Sequence, residues 1–149
     1  MKLTTALATA ALLGANAAIA APLQYYPAPS FAGAPAPFSR AIRVGDVLYL
    51  SGVIGRTADG KVPEGIEAQT RAAMGDIGTT LKTAGVGYGD VFHCTVFLTD
   101  MKNWPAFNKA YVGYFPVGQL PARSAIGVTA LALPGALVEI ECQAVTGGK

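Results

Sequence analysis

The stretch FSRAIRVGDVLYLSGVIG, residues 38–55, decides the fold. Two apolar runs, 38–44 and 47–54, flank the pair Gly45-Asp46. A Gly-Asp pair between such runs signals a hairpin, because glycine reaches the left-handed backbone conformations that a tight turn needs. The core therefore begins with two antiparallel strands. Residues 56–65 read as a loop turning at Asp59-Gly60.

The apolar period then changes. Ile66, Thr70, Met74, Ile77 and Leu81 recur at spacings of three and four, which predicts a helix over 66–83 with Gly85 at its C-terminal cap. VFHCTVFL, residues 91–98, predicts a strand. A second helix is expected over about 103–115, where Pro105 fits only in the first turn. Its stripe of Trp104, Phe107, Tyr111 and Phe115 reads as core. Strands over 122–128 and 137–144 complete the order β-β-α-β-α-β-β. That order specifies an α+β fold: a single mixed β-sheet with two helices packed on one face. The strands are apolar on both sides, so the other face also needs cover, and self-association supplies it. If the last two strands turn as a simple hairpin at Pro134-Gly135, Arg123 lies near Thr146, about 20 Å from Glu139 along the sheet.

The N-terminal segment lies apart from this domain. Residues 1–20 combine Lys2, an apolar run and the small-residue pattern Ala18-Ile19-Ala20, as a secretory signal peptide cleaved before Ala21 does. The expected protein is exported, periplasmic or secreted, with no membrane attachment after cleavage. Residues 21–34 are rich in Pro and Ala and predict an extended arm, either packed on a neighbour through Tyr25, Tyr26 and Phe31 or loose. Residues 35–149 form the domain.

Composition narrows function. The 149-residue chain is 52% hydrophobic and 13% charged, with net charge +2, as a compact, extensively covered globule requires. The basic residues are scattered and do not alternate with aromatics, which argues against a nucleic-acid partner. GVGYGD, residues 85–90, follows a helix and precedes a strand, the reverse of a phosphate loop, and reads as a connector. Cys94 and Cys142 are either buried small hydrophobes or, in an oxidising compartment, a disulfide.

Three charged residues carry the candidate chemistry. The lone His93 supports neither a zinc cluster nor a Ser-His-Asp triad. Arg123 sits in the apolar stretch PARSAIGV, residues 121–128, sharing a strand face with Ala125 and Gly127. Glu139 and Glu141 share one face of the last strand. Two readings are open: a structural Arg–Glu ion pair, or an anion site in which the planar guanidinium grips a carboxylate through two hydrogen bonds.

RVGDVLYLSGVIG, CTVFLTDM, FNKAYVGYF, PARSAIGV and LPGALVEIE occur in order across residues 35–144. Together they resemble the signatures of the Rid family, the YjgF-like reactive imine and enamine deaminases. The resemblance implies a YjgF-like, chorismate-mutase-like sandwich assembled as a homotrimer with clefts between subunits. It implies hydrolysis of 2-imino or 2-enamino acids to 2-keto acids and ammonia, without metal or organic cofactor. In that reading Arg123 binds the substrate carboxylate and Glu139 positions or activates water. Ser51 and Gly52 line the cleft, Asn108 stands at its mouth, and Ala125 offers its backbone N–H. Phe38 stands where deaminating members carry tyrosine, and Val53 where glutamine is common. The alternatives are a non-enzymatic trimer binding small carboxylates and a chaperone-like member of the same fold.

Overall fold

The computed structural model describes residues 21–30, 33–57 and 59–147. The expected leader, its cleavage point after Ala20, and Phe31 of the arm lie outside the described residues. Along the chain run β1 (Leu23–Pro27), β2 (Ser39–Val44), β3 (Val47–Leu50), β4 (Val53–Ile54), α1 (Ile66–Thr83), β5 (Val91–Leu98), α2 (Trp104–Tyr111), β6 (Ala122–Gly127) and β7 (Val138–Val145). They build one seven-stranded sheet in the order β1-β2-β3-β7-β5-β6, with β4 also paired to β7. Only β5 and β6 run parallel; the other pairs are antiparallel. This is the single mixed sheet expected.

The two periodicities explain the layers. On β7, Val138, Ile140, Cys142 and Ala144 are buried while Glu139, Glu141 and Gln143 are half-buried on the other face. The α1 residues Ile66, Thr70, Ala73, Met74, Ile77 and Leu81 line one stripe and are all buried. Phe107, Tyr111 and Phe115 continue that core, their rings in contact in series, the first pair stacked at a centroid distance of 5.2 Å and the second tilted at 4.8 Å. The opposite sheet face exposes Tyr49, Ile126 and Val145.

Several expectations need correction. The arm is partly sheet: β1 pairs with β2 at the sheet edge, and Pro27 falls at a register shift, where a missing N–H is tolerated. The second hairpin strand is interrupted. Tyr49 faces Gln143 but Val53 faces Ile140, so residues 50–52 stand opposite only 141 and 142. This is a bulge, a device that re-aims side chains and bends the strand. The second helix ends at Tyr111 and tightens into a 3-10 turn over Val112–Tyr114.

The last two strands are not a hairpin. β5 lies between them, and residues 128–137 cross the end of β5, where Val128 N–H donates to the Leu98 carbonyl and Thr99 N–H to that of Leu137. β5, α2 and β6 form a parallel crossover unit, whose strands lie side by side. β7 then enters on β5's other edge. The cysteines pair across this boundary: Cys94 faces Cys142 on β5 and β7, and a disulfide joins them.

A buried glutamine fixes where β7 starts. Gln69 Nε2 donates to the Pro63 and Gly135 carbonyls at 2.9 and 3.0 Å, and Oε1 accepts from Leu137 N–H at 2.7 Å. Satisfied on both sides, this side chain ties α1 to the loop that delivers Glu139.

Candidate active site

The bulge places Glu139. Ile54 pairs with Glu139, and Gly52 lies directly against it: a methyl at Gly52 would overlap the Glu139 carboxylate. A side chain at 52 would therefore displace the Glu139 carboxylate, so glycine suits this position by close approach, not by backbone conformation. Ser51 is pinned to β2, its N–H donating to the Arg40 carbonyl at 3.0 Å and its Oγ to the Ser39 carbonyl at 2.7 Å. Ser51, Gly52, Phe38 and Glu139 line one cavity of about 590 Å³. The arm closes part of its wall through Ala28, Pro29 and Ser30.

Arg123, Asn108 and Ala125 are elsewhere. Arg123 pairs with Cys94, which pairs with Cys142, three residues from Glu139 along β7. Two strand spacings and three residues separate their Cα atoms by about 14 Å, not the 20 Å that a hairpin implies. Moreover, they project from opposite faces. Arg123 points to the helix side, its guanidinium carbon 4.5 Å from the Trp104 ring centroid, 4.9 Å from Tyr111 and 5.7 Å from Phe107. Such contacts suit a guanidinium, whose charge is drawn to the aromatic rings. Among the described residues no carboxylate pairs with Arg123. The structural Arg–Glu pair is thereby excluded within the described chain.

The helix stripe read as core thus has a second role as the bed for Arg123. Asn108 lies in the same helix, and its Oδ1 is buried without a hydrogen-bond partner. So is the Tyr111 hydroxyl, whose pKa burial pushes up to about 12 against the opposing pull of Arg123. Ala125 follows two residues after Arg123 on β6, which among the described residues pairs with β5 alone and leaves its other edge open. The candidate residues therefore fall into two separate groups on the chain.

A sequence profile described as endoribonuclease L-PSP matches residues 30–146. The chain belongs to this family, the Rid or YjgF-like family. Within the family, the chain is 40% identical over 108 residues to the chloroplastic Reactive Intermediate Deaminase A of Arabidopsis thaliana, covering 71% of this chain and 57% of that one. It is 39% identical over 113 residues to the 2-iminobutanoate/2-iminopropanoate deaminase of Mus musculus, covering 74% and 82%. The solved structure of the Rid family protein YyfA from Yersinia pestis superposes with a TM-score of 0.74 at 37% identity, covering 83% and 99%.

The cavity of this Rid-family chain also holds residues that local sequence patterns did not single out. Arg40, Arg56 and Asp76 line it beside Glu139. Arg40 is clamped on α1, donating from Nε to Thr80 Oγ1 at 2.7 Å and from a terminal nitrogen to Asp76. Burial, then the charge of Arg56, hold Arg40 below the usual arginine range. The available signals were an arginine inside an apolar strand and an Asp-Thr pair four residues apart on a helix.

Burial raises the Glu139 carboxyl above the usual range, and Glu141 on the same face raises it further. As a base, Glu139 works only when ionised, so activity should climb with pH through an inflection above the ordinary carboxylate value. Glu141→Gln should move that inflection down in a kcat–pH profile without abolishing the rise, since burial remains. For stability the sign is opposite. A carboxyl whose folded pKa is raised favours the fold fully below its unfolded pKa, and that contribution is lost as pH rises through the folded value.

Proposed function

We propose that the protein is an exported homotrimer that hydrolyses 2-imino acids, with 2-enamino acids as their tautomers, to 2-keto acids and ammonia in clefts shared by neighbouring subunits. The observation that carries this reading is the division of the site. Glu139 has water-binding capacity but no cation for a substrate carboxylate at its side from β6. Arg123 lies on aromatic rings with no carboxylate paired to it among the described residues. The apolar residues on the uncovered sheet face, Tyr49, Ile126 and Val145, support association of copies through that face. The relatives named as imine deaminases support the reaction.

In the shared cleft, Arg123 of one chain holds the carboxylate of R–C(=NH)–COO⁻ by paired hydrogen bonds. Glu139 of the next chain takes a proton from a bound water as its oxygen attacks C2. Glu139 passes that proton to the imine nitrogen, giving the carbinolamine; it then relays the carbinolamine's hydroxyl proton to the amino group, and ammonia leaves as C2=O forms. No step needs the tyrosine hydroxyl that Phe38 replaces. The disulfide supports the exported part of the reading, since such bonds persist in oxidising compartments. Protein isolated from its host should then begin at Ala21 by intact mass.

The test couples an amino acid oxidase, which generates imino acids, to trapping by semicarbazide. Active protein lowers the semicarbazone yield. Arg123→Lys, which keeps the charge but loses the fork, should restore most of that yield while circular dichroism stays unchanged. Unaltered trapping across imino acids with aliphatic, aromatic and acidic side chains would leave the carboxylate-binding alternative.

A further inference from the structure

Apolar side chains from separate elements meet on the wall of the Glu139 cavity. The arm brings one side. Pro27 pairs with Ser39, and two residues beyond that pair on each strand come Pro29 and Pro37, both on the cavity. Phe38 also lines it, next to Ser39, whose carbonyl holds Ser51 beside Gly52. Phe38 is 57% exposed, a large apolar side chain left uncovered at a cavity of about 590 Å³. The other side comes from the loop before β7. Leu133 lines the cavity there, its carbonyl accepting from Ala136 N–H at 3.1 Å across a turn made by Gly135 at a φ of 78°. Gln69 holds the same turn through the Gly135 carbonyl, so the backbone carrying Leu133 is set before any ligand arrives. The charged groups on the wall are already engaged: Arg40 donates to Asp76 and Thr80, and Arg56 has its own interaction within the chain. Selection of a ligand's side chain therefore falls to the apolar residues, as in most small-molecule pockets.

We infer that the cavity selects 2-imino acids with a bulky apolar side chain, branched aliphatic or aromatic, and that Phe38, Leu133 and Pro29 are the residues that read it. The inference rests on the shared-cleft reading for the location of C2 at Glu139. It goes beyond that reading by assigning the side-chain pocket and its specificity residues. A side chain of one or two carbons leaves most of the cavity, and Phe38, in water. A larger one removes apolar surface from water on both partners, and each methylene fully covered is worth about fourfold in affinity.

Binding of the stable keto acids separates this inference from catalysis. The full chain is titrated calorimetrically with 2-oxopropanoate and with 4-methyl-2-oxopentanoate, which carries three more side-chain carbons. The expected result is tighter binding of the larger acid by about 10- to 60-fold, the upper value holding if all three carbons are fully covered. Phe38→Ala should cut that ratio by about three- to tenfold, chiefly by weakening the larger acid. Ala132→Trp, which fills the cavity from the loop that carries Leu133, should also weaken the larger acid more than the smaller. Phe38 and Ala132 are exposed, so these variants keep the fold. Val117→Ala, at an exposed apolar residue that does not line the cavity, should leave the ratio unchanged. A ratio near one in the unaltered chain, a ratio unmoved by Phe38→Ala and Ala132→Trp, a ratio moved as far by Val117→Ala, or no binding of either acid overturns the inference. If the ratio behaves as expected but no imino acid is hydrolysed, the pocket assignment stands and the deaminase reading falls. If imino acids are hydrolysed while the ratio is near one, the deaminase reading stands and the pocket assignment falls.

Discussion

Neither Arg123→Ala protein nor Glu139→Ala protein should deaminate an imino acid at a useful rate, and a co-refolded mixture of the two should. The single changes should each be severe. Loss of a positioned base costs about 10²- to 10⁴-fold, and loss of the arginine removes the grip on the substrate carboxylate. Recovery follows from where the two residues lie. They project from opposite faces of one sheet, Arg123 over the Trp104 ring and Glu139 against Gly52. No rotamer change brings them onto one substrate within a chain. In the proposed trimer each cleft would take Arg123 from one subunit and Glu139 from the next. When the two variants assemble at random from an equal, co-refolded mixture, about one cleft in four is formed by two unaltered residues. Activity should therefore return to roughly a quarter of the unaltered protein, far above either variant alone. The same variants refolded separately and then mixed at low temperature, without subunit exchange, should stay inactive. A co-refolded mixture no more active than its components would sink the shared cleft.

The expectations that survived and those that failed divide along a physical line. Residues 66–83 form the helix their period predicts, because helix formation and burial of one stripe are decided within a few turns. β5 likewise matches its eight-residue run. What failed was neighbour choice. The run at 122–128 looks the same whether it pairs with β7 or β5, since strand periodicity specifies faces and not partners. The separation of Arg123 and Glu139 depended on that choice. The break at Ser51-Gly52 was hidden for a related reason. It is forced by a one-residue register difference with β7, a strand some 90 residues away. The Glu139 pocket was legible only through the family resemblance, which named Phe38, Ser51 and Gly52. Arg40, Arg56 and Asp76 were not legible, because their convergence needs three separate elements.

Removing the disulfide should cost this protein about 4 kcal/mol of stability, the chain-entropy value for its sequence separation of 48 residues. The bond joins directly opposed residues of the two central strands, and both cysteines are fully buried in the native core. Its main effect is on the unfolded chain, which it prevents from separating β5 from β7. Cys94→Ala/Cys142→Ala should therefore lower the thermal midpoint by on the order of 10–15 °C. It should also steepen the urea dependence, because an unfolded chain without the cross-link exposes more surface. Reductant should reproduce both changes in the unaltered protein once it has been unfolded, and act slowly before, since the sulfurs are covered. Unfolded, unreduced protein should show no free thiol; two titratable thiols, or a midpoint indifferent to the double substitution, would rule the bond out. The bond also has a position that matters for activity. Arg123 is the lateral neighbour of Cys94, and Glu139 lies three residues from Cys142. It thus ties together the two strands through which Arg123 and Glu139 are spaced. In the proposed trimer, where Arg123 would face one neighbour and Glu139 the other, closure of the ring would require both ends of that spacing to hold at once. The double substitution should accordingly loosen assembly before it unfolds the chain, with the trimer's dissociation, followed by sedimentation, moving to higher protein concentration.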